Sequence, residues 1–216
     1  MGQKINPKGF RLGVLYPWVS RWYADDKRYK TLLLEDIRLR LALEEKLKNA
    51  GLSRVEIERS INRIDIIVYV VRPGVVIGRG GTGLEDLKKY VNTFLKKQNQ
   101  KSILKIELKV EPVKEPNLDA TIVAKNIAEQ LAKRMPHKRV SNQAIERVMG
   151  SGAKGVRILL AGRIAGAEIS RREKFQKGTV PLSTIREDVD YAEIPSLTKS
   201  GYIGVKVWIA KGEKVA

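Results

Sequence analysis

The chain has 216 residues, 42 Lys and Arg against 24 Asp and Glu, and a formal net charge of +18 with 43% hydrophobic residues. That apolar share builds a core and is too large for a disordered polycation, so a folded protein in need of a polyanion is expected, with nucleic acid foremost. No Cys and a single His, His137, exclude a disulfide framework, thiolate metal sites, a Cys nucleophile and any two-His mechanism. The longest apolar run, Ile66 to Val71, is far too short to span a bilayer. Met1-Gly2-Gln3-Lys4-Ile5-Asn6 has no apolar signal core, and Asn6 stands where a myristoylation signal carries Ser or Thr. A soluble intracellular protein with no membrane partner is expected.

Residues 1–24 carry Gly, Pro and aromatics without periodicity and read as an extended arm, with Trp18, Trp22 and Tyr23 packed on the body. From Asp26 to Ala50 the pattern is helical. Leu39, Leu43 and Leu47 form a stripe with Ile37 and Leu41 beside it, and Gly51 is a suitable stop. Val55 and Ile57 alternate with Glu56 and Glu58, a strand with one wet face. Ile64 to Val71 is apolar on both faces and reads as a central strand. Five glycines between Gly74 and Gly83 require a loop or tight turn. A helix follows, with Thr82 and Glu85 at capping-box spacing and Leu84, Leu87, Val91, Phe94 and Leu95 on its apolar face. Leu104 to Val110 alternates cleanly as a strand.

Pro112 and Pro116 break the pattern and suggest a boundary. Beyond it Val123, Ile127 and Leu131 mark a helix ending before Pro136, and a second helix runs from about Val140 to Met149. Val156–Leu160, Ile169–Phe175, Ile185–Tyr191 and Ile203–Ile209 read as strands. The fold class expected is α+β. It comprises an arm (1–24), a first domain (25–111), a linker (112–116), a second domain of two helices on a small, mainly antiparallel sheet (117–211), and a short tail (212–216).

The excess charge is uneven. Residues 1–30 hold 7 basic and 2 acidic side chains, net +5; residues 31–132 hold 18 and 14, net +4; residues 133–177 hold 12 and 3, net +9; residues 178–216 are neutral. A solvated face explains the mixed signs of 31–132. It explains 133–177 poorly, and a polyanion-binding face is the expectation there.

Gly78-Arg79-Gly80-Gly81-Thr82-Gly83 matches a dinucleotide fingerprint literally. The fingerprint also needs a parallel βαβ unit and an acid about 20 residues on, and Gln98 to Leu104 contains none. No Gly-Lys-Ser/Thr ending marks a phosphate-binding loop for nucleotide hydrolysis. The shorter reading, Ile77-Gly78-Arg79-Gly80-Gly81, is a glycine-bounded turn opening a helix. Its backbone can approach a sugar-phosphate chain closely, and the helix start favours a phosphate there.

Within helix–strand–strand–loop–helix–strand, this loop resembles the type II KH domain. The whole chain resembles the universal small-subunit ribosomal protein three family in its bacterial or organellar form. The segments that carry this are Gly2-Gln3-Lys4-Ile5-Asn6-Pro7 with Arg11-Leu12-Gly13 and Trp18, then Arg72-Pro73-Gly74-Val75-Val76-Ile77-Gly78. They continue through Gly152-Ala153-Lys154-Gly155, Gly162-Arg163, Gly166-Ala167-Glu168-Ile169, Val180-Pro181-Leu182 and Asp188-Val189-Asp190-Tyr191, and end in Gly201 to Ile209. The resemblance implies a structural protein of the small-subunit head, not an enzyme, with no cofactor. It also implies binding to small-subunit rRNA, lining of the mRNA channel entrance, and contact with neighbouring head proteins (family members ten and fourteen) and entrance proteins four and five. Its location would be the cytoplasm, or an organelle with a bacterial-type ribosome.

Carried over by position, the resemblance implies RNA contact at Ile77, Gly78, Arg79, Gly80 and Gly81. It implies an mRNA-facing patch at Lys138 and Arg139, supported by Lys133 and Arg134, with Asn142 where relatives carry a third basic residue. It implies rRNA contact at Gly2, Gln3, Lys4, Lys8, Arg11 and Lys154. At Arg163, Arg171, Arg172 and Lys174, which could simply be exposed strand faces, phosphate contact is preferred because Glu173 is the only nearby acid after Glu168. Two other readings compete. A free-standing KH regulator would concentrate binding in the glycine loop. A nuclease would need a metal cluster or an activated nucleophile, for which the sequence offers no suitable spacing. For Glu187, Asp188 and Asp190 pairing with Arg186 or a basic protein partner is preferred over a metal site, and a surface loop without a role is as good a reading of His137 as RNA contact.

Overall fold

The computed structural model describes residues 4–60, 62–98 and 105–213, the side chains of 96–98 excepted. Two compact units result: residues 18–114, and residues 4–17 together with 115–213.

In the unit of residues 18–114, strand β1 (Ser20–Arg21) precedes helix α2 (Asp26–Lys46), strands β2 (Leu52–Arg59) and β3 (Arg63–Val70), a short helix α3 (Pro73–Ile77), helix α4 (Thr82–Gln98) and strand β4 (Lys105–Pro112). Helix α1 (Pro7–Phe10) belongs to the other unit. The sheet order is β1-β2-β3-β4: β2 and β3 are antiparallel, whereas β1 lies parallel to β2 and β4 parallel to β3. A parallel neighbour needs a crossover, and α3 with α4 supplies it. Leu39 and Leu43 of α2, Leu47 just after it, and Leu87, Val91 and Leu95 of α4 share one core with Val55, Ile57, Ile64, Ile66, Val68 and Leu108. This is the helix–strand–strand–loop–helix–strand order expected.

Three details differ from the sequence reading. Ile37 and Leu41 are 44% and 61% exposed, because the core takes only the Leu39 stripe and their side of α2 faces away. Strand β3 buries Ile64, Ile66, Val68 and Val70, while Asp65, Ile67 and Tyr69 stay half-buried, so one face is core and the other is not. Glu111 and Pro112 remain paired with Tyr69 and Val70 at the end of β4, an edge strand, where a missing N–H is tolerated. Leu104, the expected start of that strand, lies outside the described residues.

In the other unit, helices α5 (Ala120–Ala132) and α6 (His137–Gly150) are followed by strands β5 (Gly155–Gly162), β6 (Arg171–Gly178), β7 (Glu187–Thr198) and β8 (Gly201–Glu213). All pairings in the sheet β6-β5-β8-β7 are antiparallel. Asp119 caps α5, accepting from Thr121 and Ile122 N–H at 2.8 and 3.2 Å. Val123, Ile127 and Leu131 of α5 and Val140, Ile145 and Val148 of α6 bury against Val156, Ile158, Leu160, Val205, Val207 and Ile209.

Among the described residues the arm is not extended throughout, since it forms helix α1 as well as strand β1, and it divides between the units. Asn6 caps α1, its Oδ1 accepting from Lys8 N–H at 2.9 Å, and Pro7 fills the first helical position. Residues 4–17 pack with the unit of α5 and α6, whereas residues 18–24 join the other. Of the aromatics, Trp22 donates to Asp36 at 2.7 Å, but Trp18 and Tyr23 are 65% and 91% exposed.

Candidate nucleic-acid interface

The glycine loop is built by close approach. Helix α3 ends at Ile77. Gly78, at φ 70°, turns the chain into a short 3₁₀ turn over Arg79–Gly81, and α4 begins at Thr82. A Cβ on Gly83 would stand 2.6 Å from the Val76 carbonyl oxygen, so glycine there lets α4 start directly against the end of α3. Gly83 was not among the expected site residues; its signal was only its place in the glycine cluster. The expected capping box does not form: the Thr82 hydroxyl donates to the Arg79 carbonyl at 3.0 Å. Arg79 is exposed at the loop tip, and Val75 and Ile77 present apolar surface beside it at 59% and 39% exposure. The loop therefore offers backbone N–H groups, one cation and an apolar flank.

In the unit of α5 and α6, Lys133 follows α5 and Arg134 comes next with φ 61°; both are exposed. Lys138 and Arg139 stand exposed in the first turn of α6. Asn142, one turn on, shares an open depression with Glu146 of α6 and with Lys174 and Lys177 of β6. Asn142 is thus flanked by two lysines from a strand 32 and 35 positions away in sequence, against one acid. Lys177 was missed by sequence reasoning, since nothing in the spacing indicates which strand lies beside α6. Arg172 and Lys174 are exposed on edge strand β6.

Several other expected RNA contacts also have partners within the protein. Arg11 is fully buried. Its Nε donates to the Glu187 carbonyl at 2.7 Å, Nη1 to that of Pro7 at 3.0 Å, and Nη2 to those of Thr184, Pro181 and Leu182 at 2.8, 3.2 and 3.2 Å. It is a clamp on the 181–187 segment, and its guanidinium is not at a surface. Lys8 pairs with Asp190 at 2.7 Å, Lys154 lies 3.5 Å from Glu187, and Arg171 pairs with Glu173 at 2.8 Å. Arg163 is exposed with its Nε on the Ala167 carbonyl at 2.8 Å, and Lys4 is exposed. Gly2 and Gln3 lie outside the described residues.

The acids of β7 hold the arm. Asp188 accepts from the Tyr16 hydroxyl, whose pKa is pushed well above its ordinary value by burial and by Asp188. Asp190, 6% exposed, takes Lys8 at 2.7 Å, Lys211 at 3.9 Å and the Ala120 N–H at 2.9 Å. Burial alone would raise its pKa, but the two ammonium groups and the N–H together hold it below the ordinary carboxylate value. These partners replace the expected Arg186 pairing. His137 sits 2.9 Å from Glu173 and edge-on to Phe175, which makes it part of the α6–β6 packing. Among the described residues no group of His, Asp and Glu side chains is arranged to hold a metal ion, and no helix is long and apolar enough to cross a membrane.

Residues 38–118 match the KH domain family, and residues 127–209 match the family described as ribosomal protein S3, C-terminal domain. Curated relatives named small ribosomal subunit protein uS3 align along almost the whole chain. Those of Lactobacillus helveticus, Pelotomaculum thermopropionicum and Carboxydothermus hydrogenoformans are 48%, 46% and 45% identical over 213 residues. The alignments cover 99% of this chain and 92%, 89% and 93% of those proteins.

Proposed function

The chain belongs to the family of small ribosomal subunit protein uS3, and from that premise we propose that it is a structural, non-enzymatic constituent of the small ribosomal subunit. It binds small-subunit rRNA and lines the entrance of the mRNA channel. The observation that carries this reading is the exposed basic surface of Lys133, Arg134, Lys138 and Arg139, with Lys174 and Lys177 beside Asn142. A surface of this kind attracts a phosphate backbone by releasing counterions and needs no covalent chemistry.

The glycine loop around Gly78, Arg79 and Gly80 is a second, weaker contact, made through backbone and apolar flank more than through charge. Lys4, Arg163, Arg172 and Lys174 are the residues left to meet rRNA. Arg11 supports the surface from within, while Lys8, Lys154 and Arg171 stand partly or largely exposed in ion pairs with Asp190, Glu187 and Glu173. The protein neighbours would be those of the subunit head and channel entrance, family members ten, fourteen, four and five, in the cytoplasm or in an organelle with a bacterial-type ribosome.

Sucrose-gradient fractionation of a cell extract tests the assignment. The protein is expected to sediment with small subunits; recovery mainly as free protein would favour a free-standing RNA regulator.

A further inference from the structure

A cavity of about 360 Å³ lies where the turn after α5, the turn after β5 and the β7–β8 hairpin meet. It is within the usual range for pockets that hold small molecules, about 300–1,000 Å³. Its walls include the buried Leu131, Leu160, Ile164 and Ile203. The exposed Arg134, Arg163 and Lys199 stand around it, with His137 half-buried among them. None of its lining residues is an Asp or Glu.

The backbone of this cavity is unusual in one respect. Arg134 (φ 61°) and Ala165 (φ 56°) both line it, and among the described residues they are the two non-glycine residues in the left-handed region. Arg134 closes α5. Its N–H reaches the Leu131 carbonyl at 2.9 Å, and Met135 N–H reaches that of Gln130 at 3.1 Å. This is the terminating pattern in which glycine usually stands. A side chain there costs strain that glycine avoids, and such strain concentrates at binding sites.

We propose that this cavity takes one unstacked base of a single-stranded RNA, with its phosphate on Arg134, Arg163 and Lys199. The apolar wall suits the flat face of a base, a guanidinium plane can stack on it, and the three cations suit the phosphate. The inference rests on the RNA-binding reading above and adds to it a defined pocket, distinct from the open surface of Lys138 and Arg139.

The test uses the full chain with ¹³C-methyl methionine and a short oligoadenylate. Met135 lines the cavity, whereas Met149 packs against the core. The Met135 methyl resonance is expected to shift on RNA binding while that of Met149 stays. Ser200→Phe fills the cavity and keeps every cation. It should weaken binding about tenfold, the size of losing one stacked base, with the salt slope unchanged. An unmoved Met135 overturns the proposal. So does the same Met135 shift with inorganic phosphate alone, which would mean an anion site without a base. Wild-type affinity in Ser200→Phe, with weakened binding in Lys138→Gln/Arg139→Gln, removes the pocket and leaves the surface reading standing; wild-type affinity in both removes both. If Ser200→Phe moves Met149, Lys199→Gln decides, because Lys199 lines the cavity and is not part of the open basic surface. Weaker binding is expected, and unchanged binding overturns the pocket.

Discussion

The Nε of Arg11 donates to the carbonyl oxygen of Glu187 at 2.7 Å, across 176 positions of sequence. With four further carbonyls on the same guanidinium, this arginine ties the amino-terminal segment to the approach to β7. Arg11→Met would leave two buried and three part-buried acceptors without this donor, and a buried one costs about 1–3 kcal/mol when unsatisfied. A loss of about 2–4 kcal/mol in a urea melt is expected after partial rescue by water. Arg11→Lys should restore little, since an ammonium carries three donors and no planar fork. The same variants should leave the salt slope of RNA binding unchanged where the protein remains folded.

Asp190 links the arm, β8 and the start of α5 through Lys8, Lys211 and the Ala120 N–H. Its folded pKa lies below the unfolded value, so its contribution to stability is present above the unfolded value of about 3.9 and is lost as pH falls through the lower folded value. Asp190→Asn should lower the melting temperature at pH 7. It should also reduce the further loss seen on acidification below about pH 4. A variant with the wild-type acid profile would mean that other carboxylates govern that limb.

Gly83 and Gly80 should respond differently to the same substitution. A Cβ at Gly83 meets the Val76 carbonyl at 2.6 Å, whereas one at Gly80 meets nothing within 4 Å and is disfavoured only by φ 64°. Gly80→Ala should cost about 1–2 kcal/mol from the left-handed backbone. Gly83→Ala must move α4 away from α3 and should cost as much or more, about 1–3 kcal/mol. It should also disturb the loop's backbone amides in an NMR spectrum, which Gly80→Ala should do only locally.

Charge neutralisation separates surface contacts from internal ones. Lys138→Gln, Arg139→Gln and Arg79→Gln should each weaken single-stranded RNA binding and flatten the salt dependence by about 0.7 per lost phosphate contact. Lys8→Gln should instead lower stability and leave that slope alone, because Lys8 is held by Asp190. Equal slopes across all four variants would remove the distinction drawn between these residues.

Much of the architecture was legible in local pattern. The stripe of Leu39, Leu43 and Leu47, the alternation in β4 and the apolar periods of α5 and α6 all report burial on one side of an element. Periodicity failed where two stripes overlap on one helix: nothing local distinguishes Leu39 from Leu41, yet the first is fully buried and the second 61% exposed. Asn6 before Pro7 was a legible cap signal that the reading of an extended arm passed over.

The candidate site was legible as residue types and less so as roles. The net charge, its concentration in residues 133–177 and the glycine loop followed from the sequence alone, because charge and backbone permissiveness are properties of the residues themselves. Which cations face solvent was decided by tertiary structure. Arg11 and Arg139 look alike in sequence, but one is enclosed by carbonyls from residues 181–187 and the other stands exposed on the first turn of α6. For Arg11, burial and pairing depend on partners 170 to 176 residues away, and only the folded chain brings them within hydrogen-bond range.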